Sequence, residues 1–115
     1  MEMSDDGKYV LTGEETNKLT LWEEGTKLWD KGGFLAGLYG IDISSDGSNI
    51  TAVDRRNVYF FDKSSSTEVW NKNFATQEMA TATISPDGRY VAAGTFDGNV
   101  YVFLCRNTSI RRFLC

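Results

Sequence analysis

Three stretches of the chain, MSDDGKYVLTG at 3–13, ISSDGSNITAV at 43–53 and ISPDGRYVAAG at 84–94, are versions of one another. Their glycines, Gly7, Gly47 and Gly88, stand 40 and then 41 residues apart. A second matching piece follows each: NKLTLWE at 17–23, RNVYFFD at 56–62 and GNVYVFL at 98–104. A third piece, KLWDK at 27–31, matches EVWNK at 68–72 and sets Trp29 and Trp70 another 41 residues apart. One period kept by three separate features is the mark of a repeat architecture, in which a supersecondary unit is copied and stacked. The chain must therefore be built from about three stacked copies of one unit.

Within a copy the periodicity is that of short strands. Tyr39, Ile41 and Ile43 alternate with Gly40 and Asp42, and Ala80, Ala82 and Ile84 alternate with Thr81 and Thr83. This period of two belongs to a pleated strand, here strand a. A turn, SDDG, SSDG or SPDG, follows. Its Asp can bond its own backbone, its Gly supplies positive φ, and Pro86 pre-sets φ in the third copy. Strand b is then YVLTG, NITAV or YVAAG. Asp97-Gly98 reads as a type I′ pair leading to the third strand c. Strand c is LTLW, VYFF or VYVF, rich in β-branched and aromatic residues. Strand d carries the tryptophan after a polar turn, EEGT or DKSSST. No segment shows a helical stripe.

Four short antiparallel strands in about 40 residues is the size of one β-propeller blade. The stretch ISPDGRYVAAGTFDGNVYVF resembles a blade of the WD-repeat superfamily, and the spacing from Asp62 to Trp70 is similar to quinoprotein-like propeller repeats. The likeness covers residues 1 to about 104. It implies an all-β fold of propeller blades, four-stranded antiparallel sheets with a period of 40–41 residues, in an incomplete ring. Two departures stand out. The chain has no histidine, so the Gly-His pair and the Asp-His-Ser-Trp network of strict WD repeats cannot form. The Trp29-Asp30 pair lies on strand d, while strand c ends in Trp22-Glu23, Phe61-Asp62 and Phe103-Leu104. On this resemblance the quinoprotein-like branch fits better than the strict WD-repeat one. One partial domain over 1–115 is expected: blade 1 at about 1–34 lacking its first strand, blade 2 at about 35–75, and blade 3 at about 76–115 with an atypical last strand.

Fewer than four blades do not close a ring. An open arc leaves two apolar faces in water, a large cost beside the marginal stability of a domain. The arc is therefore expected either to complete a ring by self-association, for example two three-bladed chains making six blades, or to be part of a larger propeller. The strands missing from the first and third copies fit exchange of a strand between chains.

Charge and composition narrow the partners. Twelve basic residues against 16 acidic ones give a net charge of -4 and a pI near 4.7, which argues against nucleic acid or an anionic membrane as the partner. Through Phe103 the balance is 9 basic to 16 acidic, whereas LCRNTSIRRFLC adds three arginines and no acid. That tail reads either as a diverged strand d at Ser109–Leu114 or as a terminus foreign to the fold. Arg106, Arg111 and Arg112 lack the aromatic platform that would make them a nucleic-acid patch. The start, MEMSDDGKYV, has no basic region or apolar core of a secretory signal. The longest apolar run, Val100 to Cys105, is six residues, far below the roughly 20 needed to cross a bilayer. Cys105 and Cys115 are too few for a disulfide framework or a thiolate zinc site and read as free thiols.

Without histidine, Ser-His-Asp and Cys-His nucleophile systems and His-containing metal sites are excluded. Asp5, Asp6, Asp46 and Asp87 recur in equivalent turns, which favours turn formation over acid-base chemistry or calcium. Asp42, inside a strand, is expected either to line the central channel or to bond a neighbouring blade's backbone. Trp22, Trp29 and Trp70, regularly spaced on strands, read as blade packing over stacking of a sugar or quinone. Gly32, Gly33, Gly37 and Gly40 serve the inter-blade loop and close blade contact, since no phosphate-cradling Gly-x-Gly-x-x-Gly opens a helix. Ser64–Ser66 form a polar turn. No catalytic residue, cofactor-binding residue, metal ligand or cofactor is expected. The chain reads as a non-catalytic binding or protein-interaction scaffold whose partner is itself or another protein. The alternative is a fragment of a quinoprotein-like propeller enzyme, a dehydrogenase or hydrolase.

Overall fold

The computed structural model describes residues 1–13, 18–34, 37–74, 76–104 and 112–114. They form three four-stranded antiparallel sheets and, among the described residues, no helix. The first sheet is β1 (Glu2–Met3), β2 (Tyr9–Gly13), β3 (Leu19–Glu23) and β4 (Thr26–Lys31). The second is β5 (Gly40–Ile43), β6 (Asn49–Val53), β7 (Asn57–Asp62) and β8 (Trp70–Asn73). The third is β9 (Met79–Ile84), β10 (Tyr90–Thr95), β11 (Val100–Leu104) and β12 (Arg112–Leu114). Within each sheet, strands pair in chain order, a meander a-b-c-d.

Two strands differ from the sequence expectation. The first sheet does not lack strand a: Glu2 pairs with Leu11 and Met3 with Val10, so two residues occupy the edge of β2. So short a strand shows no alternation in sequence. At the other end Arg112–Leu114 pairs with β11, which places a strand d there. Cys105, Arg106, Arg111 and Cys115, and with them the free-thiol and arginine-patch readings, lie outside the described residues.

The sheets stack face to face, and the period-two alternation of each strand decides which side chains meet. From the first sheet Tyr9, Leu11, Leu19 and Leu21 pack with Ile43, Ile50, Ala52 and Phe61 of the second. The opposite face of that second sheet offers Val53, Val58 and Phe60 to Val91, Ala93, Tyr101 and Phe103 of the third. The core is thus two junctions, with β6 and β7 buried on both faces. Adjacent first strands, β1 against β5 and β5 against β9, line one side of the stack.

Each a-b turn is the same small machine. Ser4, Ser44 and Ser85 donate their hydroxyls to Asp6, Asp46 and Asp87 at 2.9, 3.1 and 2.7 Å. The same hydroxyls accept the N–H five residues on, from Tyr9, Asn49 and Tyr90, at 3.0, 3.1 and 3.0 Å. Each Asp also accepts the N–H two residues on, from Lys8, Ser48 or Arg89. Gly47 takes φ +79°, and any Cβ there would collide with the ring of Tyr9 in the preceding sheet. Between β3 and β4, Glu24 and Gly25 both have positive φ, +49° and +86°, so the type I′ pair is here. Asp97-Gly98 is not such a pair, because of the two only Gly98 has positive φ. Asp97 spends its carboxylate on the side chains of Thr95 and Asn99, which holds a longer loop closed by Thr95 N–H to the Asn99 carbonyl at 2.9 Å.

Ser44 is 1% exposed, and its loss leaves the Asn49 N–H without its hydroxyl acceptor. Ser44→Ala is expected to lower unfolding free energy by about 1–3 kcal/mol. Ser66→Ala in the exposed c-d loop changes it by less than about 0.5 kcal/mol. Denaturant unfolding followed by tryptophan fluorescence checks both values.

Candidate functional site

The sheet order gives the stack two rims: one formed by the a-b and c-d turns, the other by the b-c and d-a loops. On the turn rim the recurrent acids are consumed locally. Asp6, Asp46 and Asp87 face their own turns, as described above. The Asp46 carboxyl is held below its ordinary range, chiefly by the Ser48 hydroxyl and then by the Ser48 N–H. Asp5 is different: its N–H donates to the Ser45 carbonyl of the next sheet at 2.8 Å, and Ser45 N–H repeats this onto the Pro86 carbonyl at 2.9 Å. Ser64 donates both N–H and hydroxyl to Asp62, closing the polar turn.

Asp42 staples two sheets. Its Oδ2 accepts the Thr83 hydroxyl and the Ile84 N–H, each at 2.8 Å, and its Oδ1 accepts the Ile43 N–H at 2.9 Å. The bond to a neighbouring sheet's backbone, one of its two expected roles, is present. The tryptophans divide. Trp29 packs on Phe61 at 5.6 Å and donates its indole N–H to the Lys63 carbonyl of the next sheet at 2.8 Å. Trp70 stacks on Phe60 at 5.6 Å and meets Phe103 of the next sheet at 5.2 Å. Trp22 instead lies on the outer face of the first sheet, its indole N–H on the Thr12 hydroxyl at 3.1 Å. Among the glycines, Gly40 carries the close-approach role, since a Cβ there would come within 2.9 Å of the Ala82 nitrogen. Gly32 and Gly33 have open space around them.

The loop rim carries the features that sequence reasoning missed. Asp54 is fully buried and gathers the N–H of Asn57 at 2.9 Å, that of Arg56 at 3.1 Å, the Asn57 amide at 3.0 Å and the Tyr59 hydroxyl at 2.8 Å. Burial first, and the Asp54 hydrogen bond second, push the Tyr59 hydroxyl well above the ordinary phenol range. The available signal was an acid just before strand c in both the second and third copies, Asp54 and Asp97. Nearby, Arg55 of the second sheet pairs with Glu78 of the third at 2.6 Å. Tyr39 and Phe96 meet edge to face at 6.2 Å, with Phe96 68% exposed. An open cleft beside Tyr39 is lined by Met1, Gly13, Leu38, Gly40 and Ile41. Among the described residues no group of three or more acidic or thiol side chains is placed to hold a metal ion.

Four-stranded antiparallel meanders stacked face to face define β-propeller blades, here an arc not closed into a ring. Residues 76–103 match the family model described as WD domain, G-beta repeat. The chain is a partial β-propeller, and its third blade is similar to a WD repeat. Over 108 residues, 88% of the chain, it is 30% identical to autophagy-related protein 16 of Arabidopsis thaliana and spans 21% of that protein's length. The crystal structure of the Cps50 (Swd1) β-propeller domain of Myceliophteria thermophila superposes with a TM-score of 0.81 at 12% identity, covering 97% of this chain and 35% of that one. The family match falls on the WD-repeat branch, not the quinoprotein-like branch that the missing histidine favoured. In the second blade the buried Asp54 draws donors from Arg56, Asn57 and Tyr59.

Asp54→Ala leaves the half-buried Tyr59 hydroxyl and two backbone N–H groups without their carboxylate acceptor, and is expected to cost about 1–3 kcal/mol by denaturant unfolding. The pH dependence follows from the shift directions. Asp46, depressed in the folded state, contributes stability that is present above the unfolded carboxyl value of about 4 and lost as pH falls through the lower folded value. Tyr59, raised in the folded state, contributes stability present below about 10 and lost as pH rises beyond it. Phenolate absorbance should show one tyrosine ionising only as the chain unfolds in alkali, and Tyr59→Phe should remove that fraction.

Proposed function

We propose that residues 1–115 form one partial propeller domain that acts as a non-catalytic protein-binding scaffold, its outer blade faces covered either by self-association or by further blades of a larger propeller. The observation that carries the binding reading is the exposed aromatic pair Tyr39–Phe96 on the loop rim, beside the open cleft. Exposed aromatics are uncommon on a surface with no partner, and aromatic side chains are favoured anchors in protein interfaces. The pair bridges two blades, and the Phe96 N–H donates to the Glu78 carbonyl at 3.0 Å, so the anchor is held by the scaffold itself. The WD-repeat match and the likeness to autophagy-related protein 16 support a scaffold over an enzyme.

A partner captured through this rim should depend on both rings. In a paired affinity capture, Tyr39→Ala/Phe96→Ala is expected to weaken retention of a specific protein at least about tenfold, as loss of a hot spot does. Ser64→Ala/Ser66→Ala, on the opposite rim, should retain it. Equal retention by both variants would contradict the assignment of the binding rim.

A further inference from the structure

Four segments of the loop rim converge on one cluster of side chains. The Phe96 N–H bond to the Glu78 carbonyl continues the Thr95–Met79 pairing of β10 with β9. Phe96 and Glu78 therefore stand opposite each other and project to the same side. Tyr39 brings its ring against Phe96, and its N–H donates to the Val53 carbonyl at 2.9 Å. The Met79 N–H donates to the Arg55 carbonyl at 2.8 Å, which fixes the b-c loop of blade 2 beside them. Arg55 then donates its Nε–H and Nη2–H, at 2.9 and 2.6 Å, to one and the same oxygen, Glu78 Oε1.

Two groups in this cluster are left open. Glu78 Oε2 accepts no hydrogen bond from a described residue, and the Glu78 side chain is 43% exposed. The Phe96 ring stands mostly in water, and no cation covers it: among the described residues the two cations over rings, Lys8 and Lys63, both lie on Tyr9 at the other rim. An open π-face beside an unused carboxylate oxygen attracts positive charge through both groups. The surrounding loops have the complementary balance. Segments 32–39, 54–56, 74–78 and 96–99 hold three acids, Asp54, Glu78 and Asp97, against two bases, Arg55 and Arg56, a net charge of -1.

We infer that this rim seats a lysine side chain of the partner protein, its ammonium over the Phe96 ring and bonded to Glu78 Oε2. The inference rests on the scaffold reading above and names the chemistry of the partner. Lysine suits the cluster better than arginine, because a single free oxygen matches a point charge whereas a guanidinium fork is matched by two. Its aliphatic stem has the exposed Tyr39 and Phe96 rings to lie against. A partner carboxylate drawn to Arg55 is the competing occupant, and it would meet Glu78 and Asp97 in the same cluster.

Titration of the whole chain with the peptide acetyl-Gly-Ser-Lys-Ser-Gly-amide, followed by amide chemical shifts, tests the proposal beside versions carrying norleucine or glutamate in place of the lysine. The lysine peptide is expected to shift the amides of Glu78 and Phe96 and to leave that of Asp46, on the other rim, unmoved. It should bind about two- to fivefold more tightly than the norleucine peptide, the range of an exposed cation–π contact. Two substitutions should then act in opposite directions. Glu78→Gln should weaken the lysine peptide about two- to fivefold, whereas Arg55→Gln, which frees the whole carboxylate for the ligand, should tighten it by about the same factor. Both are expected to leave circular dichroism unchanged, since each side chain is 43% exposed. Phe96→Leu keeps an apolar side chain without the π-face and should remove the advantage of lysine over norleucine that the ring supplies. A glutamate peptide that binds as tightly as the lysine one, the reverse order for Glu78→Gln and Arg55→Gln, or no shift at the rim with millimolar peptide would overturn the proposal. The capture assay with Tyr39 and Phe96 replaced reads the scaffold function itself, so a rim that binds a partner without a lysine is told apart from a rim that binds none.

Discussion

Everything in this molecule depends on sheets packing face to face. A four-stranded meander of about 40 residues has two faces and too little thickness to bury either by itself. The period-two alternation gives each strand one set of side chains for the blade before and another for the blade after. In blade 2 this places Ile50, Ala52 and Phe61 on one side and Val53, Val58 and Phe60 on the other, all 4% exposed or less. Polar groups then register what the apolar faces hold together. Asp42 ties β5 to β9, Trp29 ties its indole to the Lys63 carbonyl, and Lys63 reaches back to the Tyr9 hydroxyl at 3.0 Å. Each of these bonds crosses a junction, so each is formed only when the blades are stacked.

Much of this was legible because stacking imposes repetition. Gly7, Gly47 and Gly88 announced the period, and the alternation around Ile41 and Ala82 announced strands. Of the four turn acids, Asp6, Asp46 and Asp87 form the turns as expected, whereas Asp5 joins the next sheet through its backbone N–H. Other parts were hidden for physical reasons. Ser4, Ser44 and Ser85 occupy the same place in all three turns, yet serine is so common in loops that its double hydrogen bond leaves no compositional trace. Asp54 carries no sequence signal of its own, because its donors, two, three and five residues on, converge on it only in the folded b-c loop. β1 is two residues long, below the length at which a period exists. The type I′ turn was expected at Asp97-Gly98 because that dipeptide is a frequent one, but Glu24-Gly25 holds it, where only two residues separate β3 from β4 and the strand twist demands positive φ.

The chemistry of the surface follows from the same economy. On the turn rim the acids Asp6, Asp46 and Asp87 are turned inward onto hydroxyls and N–H groups, which leaves little there for a ligand to engage. On the loop rim the buried Asp54 network fixes the b-c loop of blade 2, and above it aromatic side chains reach solvent. The propeller arc thus has one rim held in its own hydrogen bonds and another that displays Tyr39 and Phe96. Its outer faces, by contrast, differ from the internal junctions in degree: Thr12 replaces the alanine found at Ala52 and Ala93, and Val102 replaces the bulk of Leu21 and Phe60.

The central claim is that stability resides in contacts across blade junctions. A double-mutant cycle on Trp29 and Phe61, whose rings meet at 5.6 Å between blades 1 and 2, tests it most directly. Denaturant unfolding of the wild type, Trp29→Ala, Phe61→Ala and the double variant should give a coupling energy of about 1–2 kcal/mol. Additive losses, with coupling indistinguishable from zero, would mean that the sheets hold themselves together and that stacking is incidental.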